Sequence, residues 1–118
     1  MSEIKEEIES EIKRKNFIRA FYLAKENNLS EELLKDLAIK AIWQAGIYSR
    51  NIYALKELAE ELGYSKEKIK EILMELAKKE EEKGNKKLVS SCYDYRSGKY
   101  LSFEEWLEKA MKEWNKIK

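Results

Sequence analysis

The chain contains no proline, no histidine and no threonine, and only one valine (Val89), one glutamine (Gln44) and one cysteine (Cys92). Each absence removes something. Without histidine there is no Ser–His or Cys–His nucleophile pair and no histidine-ligated metal. Four widely spaced glycines cannot form a phosphate-cradling loop. A lone cysteine cannot close an internal disulfide, which favours a reducing compartment, and between apolar neighbours it reads as a buried, inert thiol. No apolar run approaches the roughly 18 residues that cross a bilayer, and no secretory signal is read. A soluble, cytoplasmic, non-enzymatic protein without cofactor or membrane contact is expected.

What is present favours helix. Lys, Glu, Ile, Leu and Ala dominate, and these are mostly good helix formers. The 118 residues are enough for one domain, 1–118, with its own core. Charged residues make up 40% of the chain, yet 24 bases and 23 acids leave a net +1, so no bulk field draws it to nucleic acid or lipid. Such a composition suits a hyperthermophile protein, and equally an engineered one.

Apolar spacing divides the chain into helical segments. Ile4, Ile8 and Ile12 recur every four residues, followed by Phe17, Ile18, Phe21, Tyr22 and Ala24, which predicts one helix from about Glu3 to Asn27. Three later starts look alike. Leu29-Ser30 precedes Leu34, Tyr64-Ser65 precedes Ile69, and Leu101-Ser102 precedes Trp106, each an N-cap serine inside a hydrophobic staple. Ser102 with Glu105 completes a capping box. The starts fall at nearly equal intervals, as in repeated helical hairpins. Gly46 and Gly84 read as left-handed caps between them.

The second helix (Glu31 to Ala45) has a wide apolar face, with Ile39 and Trp43 off it, and is expected to be the most enclosed. The third (about Arg50 to Leu62) and fourth (from Ser65 to about Ala77) follow, and the sequence KKEEEKGNKK reads as a solvated helix end and linker. Glu80 to Glu82 point apart on a helix, so they form a solvated face rather than a cation site. In Leu88 to Tyr100 the composition disfavours helix and Arg96-Ser97-Gly98 fits a hairpin turn. The near-equal gaps instead favour a short helix ending near Arg96, and that is the expectation adopted. A last amphipathic helix runs from Phe103 to about Lys116. The fold class is therefore all-α: five or six helices packed as antiparallel αα-hairpins.

Ala54 to Leu76 resembles the helix-turn-helix superfamily through Leu58-Ala59, Gly63 in the turn, Ser65 opening the second helix, and Ile69 and Ile72 holding it. The resemblance covers about a fifth of the chain, and any tight αα-hairpin needs similar residues. It implies DNA reading by Lys66, Glu67, Lys70, Glu71 and Met74, on the outward side of the second helix. Asn51 to Lys83 carries seven Lys against nine Glu, which opposes phosphate contact. The repeat spacing also resembles tetratricopeptide-like arrays in architecture, without their Trp-Leu-Gly-Tyr pattern or closing proline. That resemblance implies a protein or peptide partner, with Arg19, Tyr22, Arg50, Tyr53, Tyr93 and Arg96 as candidate contacts. Ordinary packing at hairpin edges would explain the same residues. Tyr93, Tyr95, Tyr100 and Arg96 could also stack single-stranded bases. The leading expectation is a non-catalytic binding or scaffold module, the alternative a helix-turn-helix DNA-binding regulator.

Overall fold

The three serines start three helices as their spacing predicts: the Ser30, Ser65 and Ser102 hydroxyls accept the N–H groups of Leu33 (3.3 Å), Lys68 (3.1 Å) and Glu105 (3.2 Å). Each such cap is worth about 1 kcal/mol. The computed structural model describes residues 2–117. In order these form α1 (Ser2–Lys13), α2 (Phe17–Glu26), α3 (Glu31–Trp43), α4 (Ile52–Leu62), α5 (Lys66–Glu82), β1 (Cys92–Asp94), β2 (Lys99–Leu101) and α6 (Phe103–Glu113). A π-helical turn (Gln44–Tyr48) extends α3, and single 3₁₀ turns occupy Lys86–Leu88 and Trp114–Lys116. The helices pack as a small all-α bundle. No helix among the described residues is long and apolar enough to cross a membrane.

The core is the meeting of the apolar stripes. Leu37 and Ile42 of α3, Leu55 and Leu58 of α4, and Ile69 and Leu73 of α5 are wholly enclosed, each contributing roughly 1.5–3 kcal/mol of burial. Phe103, Trp106, Leu107 and Ala110 close one side from α6. α4 begins at Asn51, whose side chain accepts the N–H groups of Tyr53 (3.1 Å) and Ala54 (3.2 Å), and it ends at Gly63 with φ 69°. The Ala54–Leu76 unit is thus a tight αα-hairpin with Ile69 turned inward and Ile72 half-buried.

Several expectations are corrected. The first helix is not continuous: Lys15 adopts φ 60°, and the chain folds back so that α1 lies against α2 with Ile8 buried. An unbroken helix of ~25 residues would be about 37 Å long and would carry Ile4 and Ile8 past the bundle into water. Gly46 is no left-handed cap. It sits in the π turn, where a Cβ would come within 2.4 Å of Leu73 Cδ2, so close approach of two helices is what demands glycine. The left-handed residue there is Arg50, at φ 46°. Gly84 does take the left-handed form, at φ 87°. α3 is not the most enclosed helix: Ile39 is exposed and Trp43 half-buried, and α6 buries a larger share of its residues.

Glu80 is not solvated. It is 7% exposed, and its carboxylate accepts Trp43 Nε1–H (3.0 Å) and Asn85 Nδ2–H (2.8 Å). A half-buried indole N–H needs an acceptor, and Glu80 supplies one. The same device closes α1, where Asn16 Nδ2–H donates to buried Glu11 at 2.9 Å. At both ends the Asn backbone N–H bonds the Glu carbonyl five residues back, at 2.8 Å for Asn16 and 2.9 Å for Asn85. The intervening left-handed residue is Lys15 in one and Gly84 in the other, the geometry of a Schellman stop. Gln44 performs a related service: its Oε1 accepts the Ile18 N–H at 2.9 Å, satisfying the start of α2 where Asn16 offers no side-chain cap.

The segment expected to be a short helix ending near Arg96 is a β-hairpin. β1 and β2 pair antiparallel, with Cys92 opposite Leu101, Tyr93 opposite Tyr100 and Asp94 opposite Lys99. Composition outweighs spacing here. Asp94 accepts the Ser97 N–H on its side chain (3.1 Å) and the Gly98 N–H on its carbonyl (2.8 Å), and Gly98 supplies the φ of 70° that the turn requires. The serine-led helices are real, but the intervals between them hold different structures.

Candidate functional site

The hairpin turns back over α6 and leaves a groove of about 510 Å³ between itself and the start of α4. This lies within the usual ~300–1,000 Å³ of ligand clefts. One wall is Ile47 to Tyr53, the other Cys92 to Arg96, and the floor is Trp106, Lys109, Ala110 and Glu113 of α6. The groove is open, and its floor combines apolar Trp106 and Ala110 with charged Lys109 and Glu113.

Arg50 fixes its geometry. The left-handed backbone aims the guanidinium at the hairpin base, where it donates to the carbonyls of Leu101 (2.8 Å), Ser90 (2.8 Å) and Leu88 (3.3 Å) and lies 5.7 Å from the Phe103 ring centre. Burial lowers its pKa, partly offset by Cys92 and Asp94. Two ion pairs hold the hairpin tip to α6: Lys109 Nζ to Asp94 at 2.7 Å, and Arg96 to Glu113 at 3.2 Å. Burial pushes the Asp94 carboxyl up, but hydrogen bonds from Lys109 and Ser97, with the Lys109 charge, outweigh it and hold the carboxyl at about 2. Arg96 also lies over the Tyr53 ring at 5.6 Å, a cation–π contact bridging the two walls.

Tyrosines form the rim. Tyr93 meets Tyr95 and Tyr100 edge-on, at 5.0 and 5.3 Å between ring centres. Tyr48, Tyr53, Tyr93, Tyr95 and Tyr100 are all exposed, Tyr95 by 90%. Cys92 is exposed in the groove rather than buried, since the two-stranded sheet that carries it is too small to enclose its own side chains.

Four of the six partner-contact candidates therefore meet at one place: Arg50, Tyr53, Tyr93 and Arg96. The other two do not line the groove. Arg19 lies over the α1–α2 seam, 3.7 Å from Glu7 and 3.6 Å from Glu11. Tyr22 is half-buried beside Phe21, its hydroxyl enclosed without a hydrogen-bond partner and its pKa raised to about 12 by burial, then by Glu57 and Glu61. On α5, Glu67, Lys70, Glu71 and Met74 are exposed and Lys66 is half-buried. The acids alternate with the lysines along that face, and the hairpin follows α5 in the chain. Sequence reasoning missed Tyr48, Lys87, Lys109 and Glu113 in the groove. Lys109 and Glu113 carry no local signal, since only the docking of the hairpin on α6 unites them with Asp94 and Arg96.

The site and fold together define a small helical bundle with a hairpin-walled groove. Comparison with known proteins finds no matching family, no similar curated protein and no similar solved structure.

Proposed function

We propose that the chain is a non-catalytic binding module that engages a protein or peptide partner at the tyrosine-rimmed groove, working in the cytoplasm. The observation that carries this reading is the convergence of Arg50, Tyr53, Tyr93 and Arg96 around one open groove, with Tyr48 and Tyr95 exposed at its margins. Tyrosine and arginine are enriched at the energetic centres of protein interfaces, tyrosine as a rigid amphipathic anchor and arginine as a planar, multiply donating cation. Arg50, Asp94, Arg96, Lys109 and Glu113 of the groove are held in ion pairs and carbonyl bonds, which suits positioning rather than proton transfer.

The test is panning of a random-peptide display library against the immobilised full chain, with anisotropy titration of the enriched peptides. Binding is expected to fall about tenfold or more on Tyr53→Ala and on Arg96→Ala, the loss typical of a central interface residue. Arg19→Ala should leave it unchanged. Equal effects at all three positions, or none at any, would sink the groove as the binding site.

A second reading is a helix-turn-helix DNA-binding protein, favoured by the α4–Gly63–α5 hairpin and the β-hairpin that follows it. The glutamates on the outer face of α5 oppose it. A duplex-DNA gel shift that weakens with salt and disappears on Lys66→Glu with Lys70→Glu would reverse the order of the two readings.

A further inference from the structure

We infer that the groove receives an extended, acidic peptide segment that adds as a third strand along the free edge of β1. The inference rests on the binding-module reading and names the kind of segment bound.

The edge is open. β1 pairs with β2 alone, and beyond that ladder the only other backbone hydrogen bond it makes among the described residues is from Gly98 N–H to the Asp94 carbonyl, at the tip. A two-stranded hairpin is the least self-sufficient sheet, and its unpaired N–H and C=O groups are a template for a further strand. The groove lies on the matching side: Cys92, Tyr93 and Asp94 of β1 line it, whereas no residue of β2 does. A lysine, a proline or a bulge on an edge strand blocks such pairing, and β1 has none of these. Here the one charge on β1 is Asp94, and Lys109 draws it onto α6.

Charge selects the occupant. The groove is lined by Arg50, Lys87, Arg96 and Lys109 against Asp94 and Glu113. From Gly84 to Leu101 the chain has four bases (Lys86, Lys87, Arg96, Lys99) and one acid, while the remainder has more acids than bases. Lys87 and Lys99 make no ion pair among the described residues. The N-terminus of α4 opens onto the same groove at Asn51 to Tyr53 and adds its partial positive charge. An extended segment with carboxylates at alternate positions would set one beside Lys87, while Arg96, paired with Glu113 and lying over Tyr53, contributes only its field. The segment's intervening side chains would rest on Tyr53 and Tyr93.

A single-stranded nucleic acid fits the same residues less well. Arg50 and Lys109 are already engaged by carbonyls and by Asp94, which leaves few cations for a phosphate chain. Tyr93, Tyr95 and Tyr100 meet edge to face rather than as open parallel platforms for bases.

The experiment uses the ¹⁵N-labelled full chain and four probes: acetyl-(Glu-Val)₃-amide, the same peptide N-methylated at alternate residues, acetyl-(Lys-Val)₃-amide, and a twelve-residue oligothymidylate. The acidic peptide is expected to shift the Cys92, Tyr93 and Asp94 amides saturably and to slow hydrogen exchange where the N–H faces the free edge, since alternate amides already face β2. N-methylation should weaken binding by roughly tenfold or more, as the loss of two ladder hydrogen bonds implies. The lysine peptide should bind at least about tenfold more weakly. Lys87→Glu, a fully surface change, should abolish the preference between the acidic and basic peptides. Undiminished binding of the N-methylated peptide at the same amides overturns strand addition and leaves the binding-module reading intact. Absence of acidic-peptide binding overturns the inference, and the library panning then judges the module reading separately. Oligothymidylate binding in place of the acidic peptide overturns both.

Discussion

The helical bundle and the hairpin are held by different kinds of force. In the bundle, Leu37, Ile42, Leu55, Leu58, Ile69 and Leu73 have no exposed surface. Between Glu80 and Phe103 no residue is buried at all. The hairpin is kept in place by a handful of directed bonds: Arg50 to three carbonyls, Asp94 to Lys109, and Arg96 to Glu113 and Tyr53. Area-based packing is insensitive to pH and salt, whereas charged contacts at the surface are screened and titrate. The bundle should therefore set the global unfolding midpoint, and the hairpin should open locally at lower free energy.

The largest effects test the bundle. Leu73→Ala removes an enclosed side chain at the α3–α5 contact and is expected to cost about 2–5 kcal/mol in urea denaturation. Gly46→Ala pushes a methyl group against Leu73 and should cost roughly 1–3 kcal/mol by the same measurement. Arg50→Met should act on the hairpin instead. It is expected to speed hydrogen exchange at the hairpin amides by an amount equivalent to about 1–3 kcal/mol, with a much smaller change in the global midpoint. If the midpoint falls as far as it does for Leu73→Ala, the two regions unfold as one and the distinction between them is lost.

Acid gives a milder probe of the same difference. The folded Asp94 carboxyl sits at about 2, below the unfolded value of roughly 3.9. Its stabilising contribution is therefore complete above about pH 4 and fades as the pH falls towards 2. Hairpin amide protection, taken relative to the intrinsic exchange rate at each pH, should fall in that window, and Asp94→Asn should remove the response. The smallest effect concerns Lys15, whose φ of 60° strains a residue with a Cβ. Lys15→Gly is expected to stabilise the α1–α2 turn by up to about 1 kcal/mol, read as a raised thermal midpoint. An unchanged or lowered midpoint would show that the turn is not strained.

What could be read from the sequence was whatever is decided within a few residues. Ser30, Ser65 and Ser102 cap helices because a hydroxyl and an N–H three positions on need nothing else. Gly63 and Gly84 take left-handed turns for a similarly local reason. Lys15 gives no such signal, since lysine does not favour positive φ, and the break after α1 follows from where Ile8 must be buried. The need for glycine at position 46 lies in Leu73, on another helix, and leaves no mark among its own neighbours. The hairpin is the converse: the local chemistry of Asp94, Ser97 and Gly98 decides it, and the regular interval between helix starts does not. At the groove, Arg50, Tyr53, Tyr93 and Arg96 stand out in the sequence as aromatic and guanidinium side chains, but only the fold brings them together. Arg19 and Tyr22 had the same chemistry and went elsewhere.

The paired glutamate–asparagine closures at Glu11–Asn16 and Glu80–Asn85 have a consequence for anyone who would rebuild this chain. One hexapeptide grammar serves two unrelated helices, tolerating lysine or glycine in its fifth place, so it behaves as portable punctuation. Spliced onto the exposed tail of a foreign helix, Glu-Glu-Glu-Lys-Gly-Asn should fix where that helix stops, independently of what it packs against.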